Sequence, residues 1–140
     1  MLTKIYKILQ NRVFNYIVLI VSLFAVFSHW LRFLITDYCI NNSGIALGTF
    51  SSFNPIIPLI TIGIILLILL FYTIKNRDLL LLALFLAGLS NWLDRLLDGF
   101  VCDYILFLSF YINLNDIIIS TVVILISLRD IMKDEIKKKD

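Results

Sequence analysis

Long uncharged stretches alternate along the chain with short clusters of polar and charged residues. After Lys4, Lys7 and Arg12, an apolar run opens at Tyr16 and reaches Ile35. No charge falls between Asp37 and Lys75, and Pro55 and Pro58 suit the first turn of a helix in that gap, where a missing N–H costs little. A third run starts at Leu79, after the turn Lys75-Asn76-Arg77-Asp78, and meets Asp94 and Arg95 near its end. A fourth follows Asp116 through Ile117, Ile118 and Ile119. A bilayer core about 30 Å thick needs roughly 20 such residues per helix. The pattern therefore predicts an all-α integral membrane protein with four transmembrane helices, over about 16–35, 55–74, 79–97 and 114–130. They form one membrane domain over residues 1–140, with a small outer-face loop segment between the first two helices. The apolar segment from Tyr104 to Tyr111 is too short to span and is expected to lie in the interface as a loop or half-helix. The first run is too long for a signal peptide and no A-x-A-like cleavage site follows it, so it is expected to stay attached.

Composition agrees with the pattern. Of 140 residues 61% are hydrophobic and 16% charged, against about 25% charged in a soluble domain. A mean hydropathy of +0.98 is more apolar surface than one small core can hide, so lipid must be the solvent. The net charge of +2 is too small to argue for nucleic acid. Charge placement sets an orientation. Ten of the twelve basic residues, all but Arg32 and Arg95, lie before the first span, between the second and third, or after the fourth. The positive-inside rule then places both termini in the cytoplasm, with Asp37, Asp94, Asp98, Asp103 and Asp116 toward the outer side. Cys39 and Cys102 have no metal-type spacing and read as two unpaired small apolar residues, a disulfide near the outer face being the alternative.

Ionisable groups against a span cost about 2.5–3.5 kcal/mol each near its centre, so they need partners, a cavity or chemistry. Asn91, Asp94 and Arg95 stand at i, i+3 and i+4 on one helix face, either as a staple for the bundle or as part of a site. Asp98, beside Gly99, reads as a solvated turn residue, and His29, beside Trp30, as an interfacial packing residue. Asp103 and Asp116 differ, because each lacks an adjacent base and sits where apolar sequence meets the outer interface. If the third and fourth spans are antiparallel neighbours, their short connection brings both carboxylates to one depth. Two carboxylates sharing a site cannot both ionise easily and hold a proton between them. The ionised member takes a proton from an attacking water, and the protonated member donates to the carbonyl oxygen under attack. Asp116 opens a helix, which favours it as the ionised member.

At these residues the chain resembles the signal peptidase II family, the aspartyl endopeptidases that process bacterial lipoproteins. The family's third-helix pattern G-N-x-x-D-R-x-x-x-G-x-V-V-D-F stands here as Ser90-Asn91-Trp92-Leu93-Asp94-Arg95-Leu96-Leu97-Asp98-Gly99-Phe100-Val101-Cys102-Asp103-Tyr104. Its fourth-helix pattern F-N-x-A-D is similar to Ile112-Asn113-Leu114-Asn115-Asp116, and its outer-loop pattern N-x-G-x-A-F to Asn42-Ser43-Gly44-Ile45-Ala46-Leu47. The resemblance implies four spans with both ends cytoplasmic, in a bacterial plasma membrane with the site at the outer face. It implies catalytic roles for Asp103 and Asp116 and supporting roles for Asn42, Asn91, Asp94, Arg95 and Asn113. The implied substrates are prolipoproteins carrying a diacylglyceryl-cysteine, cut just before that cysteine by a monomeric enzyme among membrane lipids. No metal or cofactor is implied. The chain departs from the family where the first helix usually ends in D-x-x-[ST]-K and here reads Ser28-His29-Trp30-Leu31-Arg32. Ser90 and Asn115 replace a Gly and an Ala, and the outer segments are short.

Two rivals come from other classes. Asp94, Asp98-Gly99 and Asp103 loosely resemble the metal-binding motif of CDP-alcohol phosphatidyltransferases, but Phe100-Val101 follows where that motif needs Ala-Arg. A catalytically weak or inactive relative that binds lipidated partners would fit the lost first-helix acid, although it has little use for two costly carboxylates. An ion path is disfavoured, since one pair of acids near one interface makes no relay through the membrane.

Overall fold

The computed structural model describes residues 11–35, 39–43 and 56–138 together with Ile5, Lys7 and Ile8, and of residues 25, 26 and 28–35 the backbone alone. Asp37, Pro55 and the Gly44 to Leu47 part of the outer loop lie outside the described residues, as do the side chains of Ser28, His29 and Arg32. Four long helices carry the chain among the described residues: α1 (Arg12–Ile35), α2 (Ile56–Asn76), α3 (Leu79–Asp98) and α4 (Leu114–Lys137). Among the described residues, α2 and α3 are each long and apolar enough to cross a membrane. Helix α4 runs past residue 130 into a charged tail, in which Lys133, Asp134, Glu135 and Lys137 are exposed.

Helix α3 lies at the centre and packs against the other three. Its buried face is built from small residues: Ala83 and Ala87 are fully buried and Ser90 nearly so. Without water to drive helices together in lipid, association relies on close packing, which small residues permit. Leu80, Ala83 and Ala87 meet Ile118 and Val122 of α4, with Val18 of α1 packed against the cluster. A Cβ on Gly88 would sit 3.0 Å from Leu66 Cδ2, and one on Gly63 would sit 3.3 Å from Trp92 Nε1, so the α2–α3 contact is equally close. The outward side of α2 is bare apolar surface, with Ile57, Ile60, Leu67 and Phe71 all more than half exposed. Such a face has no place in water and suits hydrocarbon.

The all-α expectation needs one correction. Among the described residues four three-residue strands sit at the end of the bundle where α3 stops: β1 (Ile40–Asn42), β2 (Val101–Asp103), β3 (Ile105–Phe107) and β4 (Phe110–Ile112). β1 pairs antiparallel with β2, and β3 with β4. The segment from Tyr104 to Tyr111 is thus a hairpin rather than a loop or half-helix. Its β-branched and aromatic residues favour strand, and Leu108 adopts φ 54° at the turn, a left-handed conformation that a Leu rarely takes. The free-cysteine expectation is also overturned: Cys39 and Cys102 form a disulfide, with Cα atoms 5.2 Å apart. The pairing of β1 with β2 brings together two cysteines that are 63 residues apart in sequence.

Candidate active site

The site forms where α3, the strands and α4 meet. Gly99, at φ 81°, ends α3 in the left-handed conformation that glycine adopts at little cost, and its N–H donates to Arg95 O at 3.0 Å. The chain then turns directly into β2, which carries Asp103. The Tyr104 N–H donates to Ile112 O at 3.2 Å, so the base of the β3–β4 hairpin returns the chain to Asn113 beside Asp103. Asn113 caps α4: its Oδ1 accepts from Asp116 N at 3.0 Å, and Asp116 Oδ2 accepts from Asn113 N at 3.3 Å. This reciprocal pair is a capping box, with Asp116 in the position usually held by Glu or Gln.

Asn113 also joins the two acids. Its Nδ2 donates to Asp103 Oδ1 at 2.8 Å while its backbone N–H serves Asp116. The second oxygen of each carboxylate has an amide donor of its own. Asn42 Nδ2 donates to Asp103 Oδ2 at 2.8 Å, and Asn91 Nδ2 to Asp116 Oδ1 at 2.9 Å. Ile40 stands opposite Asp103 and Asn42 opposite Val101, so Asn42 lies diagonal to Asp103 on the same face of the strand pair. Asp103 is 2% exposed and Asn113 4%, so a group left unpaired here would cost the full penalty of its desolvation.

Arg95 Nη1 donates to Asn91 O at 3.0 Å, and its guanidinium interacts electrostatically with Asp116, Asp103 and Asp94. The structure therefore brings Asn42, Asn91, Arg95 and Asn113 to Asp103 and Asp116. Asp94 is buried and reaches the cluster through its charge interaction with Arg95. Asp98 is exposed, as expected, but it is the last residue of α3 rather than a turn residue.

Three residues not singled out for the site belong to its support. Asn115 Nδ2 donates to Ser90 Oγ and to Asn91 Oδ1, both at 3.0 Å, and so turns away from the carboxylates. Two of the departures from the family pattern, Ser90 and Asn115, thus pair with each other. That both had exchanged an apolar or absent side chain for a polar one was the available signal. The third is Tyr104, whose hydroxyl accepts from Leu114 N at 3.4 Å.

A bundle of apolar helices around one buried and one half-buried carboxylate, each held by amide donors, fits a membrane protein of the aspartic-peptidase class. The chain belongs to the signal peptidase (SPase) II family, whose model matches residues 2–132, nearly its full length. That family is one of membrane-bound aspartic peptidases acting on lipoprotein precursors. No curated protein and no solved structure matches the chain.

Proposed function

We propose that the chain is an aspartyl endopeptidase that removes signal peptides from diacylglyceryl-modified prolipoproteins, with Asp103 and Asp116 as the catalytic pair. The observation that carries this reading is Asn113, which binds one carboxylate through its side chain and the other through its backbone. A water between the carboxylates gives a proton to the ionised member as its oxygen attacks the scissile carbonyl. The protonated member donates to the carbonyl oxygen, forming a neutral tetrahedral diol. Collapse returns a proton to the leaving amine of the lipidated cysteine. Asn42, Asn91 and Asn113 hold the carboxylates still through these steps, and the Arg95 cation balances their charge. No step calls for a metal or a cofactor.

In this reading all four helices span, both termini are cytoplasmic, and the site opens at the outer face of a bacterial plasma membrane. The clustering of Arg12, Arg77, Arg129 and Lys133 at the bundle end opposite the strands supports that orientation.

The test is cleavage of a diacylglyceryl-modified prolipoprotein by the purified protein in detergent. The wild type is expected to cut before the lipidated cysteine, with Asp103→Asn and Asp116→Asn each losing at least 10²–10⁴-fold in kcat, roughly the weight of one general acid or base. Chelator is expected to leave the rate unchanged. Folded wild type that binds the precursor without cutting it would instead identify a relative that keeps the fold and has lost the reaction.

A further inference from the structure

At the end of the bundle away from the carboxylates, a cavity of about 870 Å³ opens between the start of α1, the α2–α3 turn and the last turns of α4. Four cations line it: Arg12, Arg77, Arg129 and Lys133. Two acids share the wall, and both are engaged by the same arginine. Asp78 is 2.6 Å from Arg129 Nη1, and Asp130 is 3.5 Å from Arg129 Nε. Asp78 has a second task, since its Oδ1 accepts from Leu80 N at 2.9 Å and caps α3. Arg12, Arg77 and Lys133 therefore have no ion pair among the described residues, and they approach one cavity from three separate segments of the chain.

Three like charges around one concavity repel each other unless an anion joins them. Arginine is the side chain whose planar fork fits phosphate oxygens, and two of the three are arginines. Arg77 holds φ 50°, a backbone conformation that costs a non-glycine residue energy and that tends to persist where a site requires it. Leu81 and Ile126 line the same cavity, so its cationic wall is continuous with apolar surface. That combination matches a phosphate carried at the end of an acyl-bearing molecule better than a phosphate alone.

We infer that this cavity is a binding site for a phosphate-bearing anion, with the headgroup of an anionic phospholipid as the source its apolar lining favours. The site is separate from the carboxylate pair and does not depend on the proposed peptidase activity. Native mass spectrometry of the full chain in detergent tests it, with phosphatidylglycerol, phosphatidylcholine and inorganic phosphate as the three probes. Phosphatidylglycerol is expected to remain bound under conditions that strip phosphatidylcholine. Arg77→Gln with Lys133→Gln should weaken it about thirtyfold, from two basic residues near a membrane surface. Glutamine tolerates the position-77 backbone no worse than arginine does. Lys75→Gln with Lys137→Gln removes the same charge outside the cavity and should change binding less than threefold. Inorganic phosphate lost with the same dependence on Arg77 and Lys133 would support the site and assign its anion to a soluble source. Equal retention of the two lipids with no phosphate bound, or equal losses in the two double variants, would overturn it.

Discussion

Asn113 performs two tasks that different substitutions can separate. Its Oδ1 caps α4 and its Nδ2 holds Asp103. Alanine removes both, whereas serine keeps an acceptor for the cap and is too short to reach Asp103. A lost N-cap costs about 1 kcal/mol, so Asn113→Ala should unfold more readily than Asn113→Ser by about that much. Both should lower kcat about hundredfold with little change in KM, because a carboxylate displaced by about 1 Å forfeits near-attack geometry. Denaturation in detergent and steady-state cleavage measure the two effects separately. Asn115 offers the opposite case. It donates to Ser90 and Asn91, yet its own Oδ1 is buried with no hydrogen-bond partner among the described residues. Asn115→Ala gives up two modest hydrogen bonds, about 1 kcal/mol each, and relieves one orphaned acceptor that costs about as much or more. The expected change in stability is within about 1 kcal/mol of zero, and a loss above about 3 kcal/mol would contradict this account.

At the scale of elements, the vulnerable piece is the β1–β2 pair. Two strands of three residues each cannot hold a register by backbone hydrogen bonds alone. The disulfide holds it from behind: Cys102 stands opposite Asn41, so the cross-link lies on the face away from Asp103, while Asn42 and Asp103 share the front. The proposed topology puts this pair at the outer face, where a disulfide persists. Asn42→Ala removes a hydrogen bond to a buried carboxylate, about 1.5–3 kcal/mol, and should lower kcat at least about tenfold. Reduction with dithiothreitol, or Cys39→Ser, should lower the wild-type rate by a smaller factor and leave Asn42→Ala unchanged, since both act through one contact. Independent, multiplying losses would show that the cross-link serves something else. This is also where the sequence was least legible. Apolar runs of helical length announce α2 and α3, and the polar spacing placed Asn91, Asp94 and Arg95 on one face of α3. Strands of three residues are too short to show a period of two, and the cysteines gain their partnership only from a pairing between β1 and β2. Asn42, Asn113 and both aspartates were legible because the motif fixes their types and order; that Asn113 bridges the two acids follows from the hairpin closing at Tyr104 and Ile112, which no spacing reveals.

The whole molecule separates two chemistries by the length of its helices. Buried carboxylates and amides occupy the end where the strands lie, and a cation-lined cavity occupies the other. Helix α3, of 20 residues, is about 30 Å long at 1.5 Å per residue, the thickness of a hydrocarbon core. It runs from Asp78 at the cationic end to Gly99 beside the carboxylates, so in the proposed topology the two ends fall on opposite membrane surfaces. In the same topology helix α4 runs in the reverse direction: its uncharged stretch begins at Ile117, one residue after Asp116, and closes at Leu128 before Arg129. These twelve residues cover only about 18 Å as a helix, so the proposed topology requires Arg129 to extend toward the headgroups, and its bond to Asp78 holds it at the level where α3 begins. Reporter fusions decide the orientation. Green fluorescent protein attached after Lys137 is expected to fluoresce, since it folds in the cytoplasm, and alkaline phosphatase placed there should be inactive. Alkaline phosphatase inserted at the exposed Leu108–Ser109 turn should instead be active, because it needs the oxidising outer compartment. The reverse pattern would put the carboxylates in the cytoplasm, where the precursor's cleavage site does not lie, and would remove the proposed peptidase reading along with the topology.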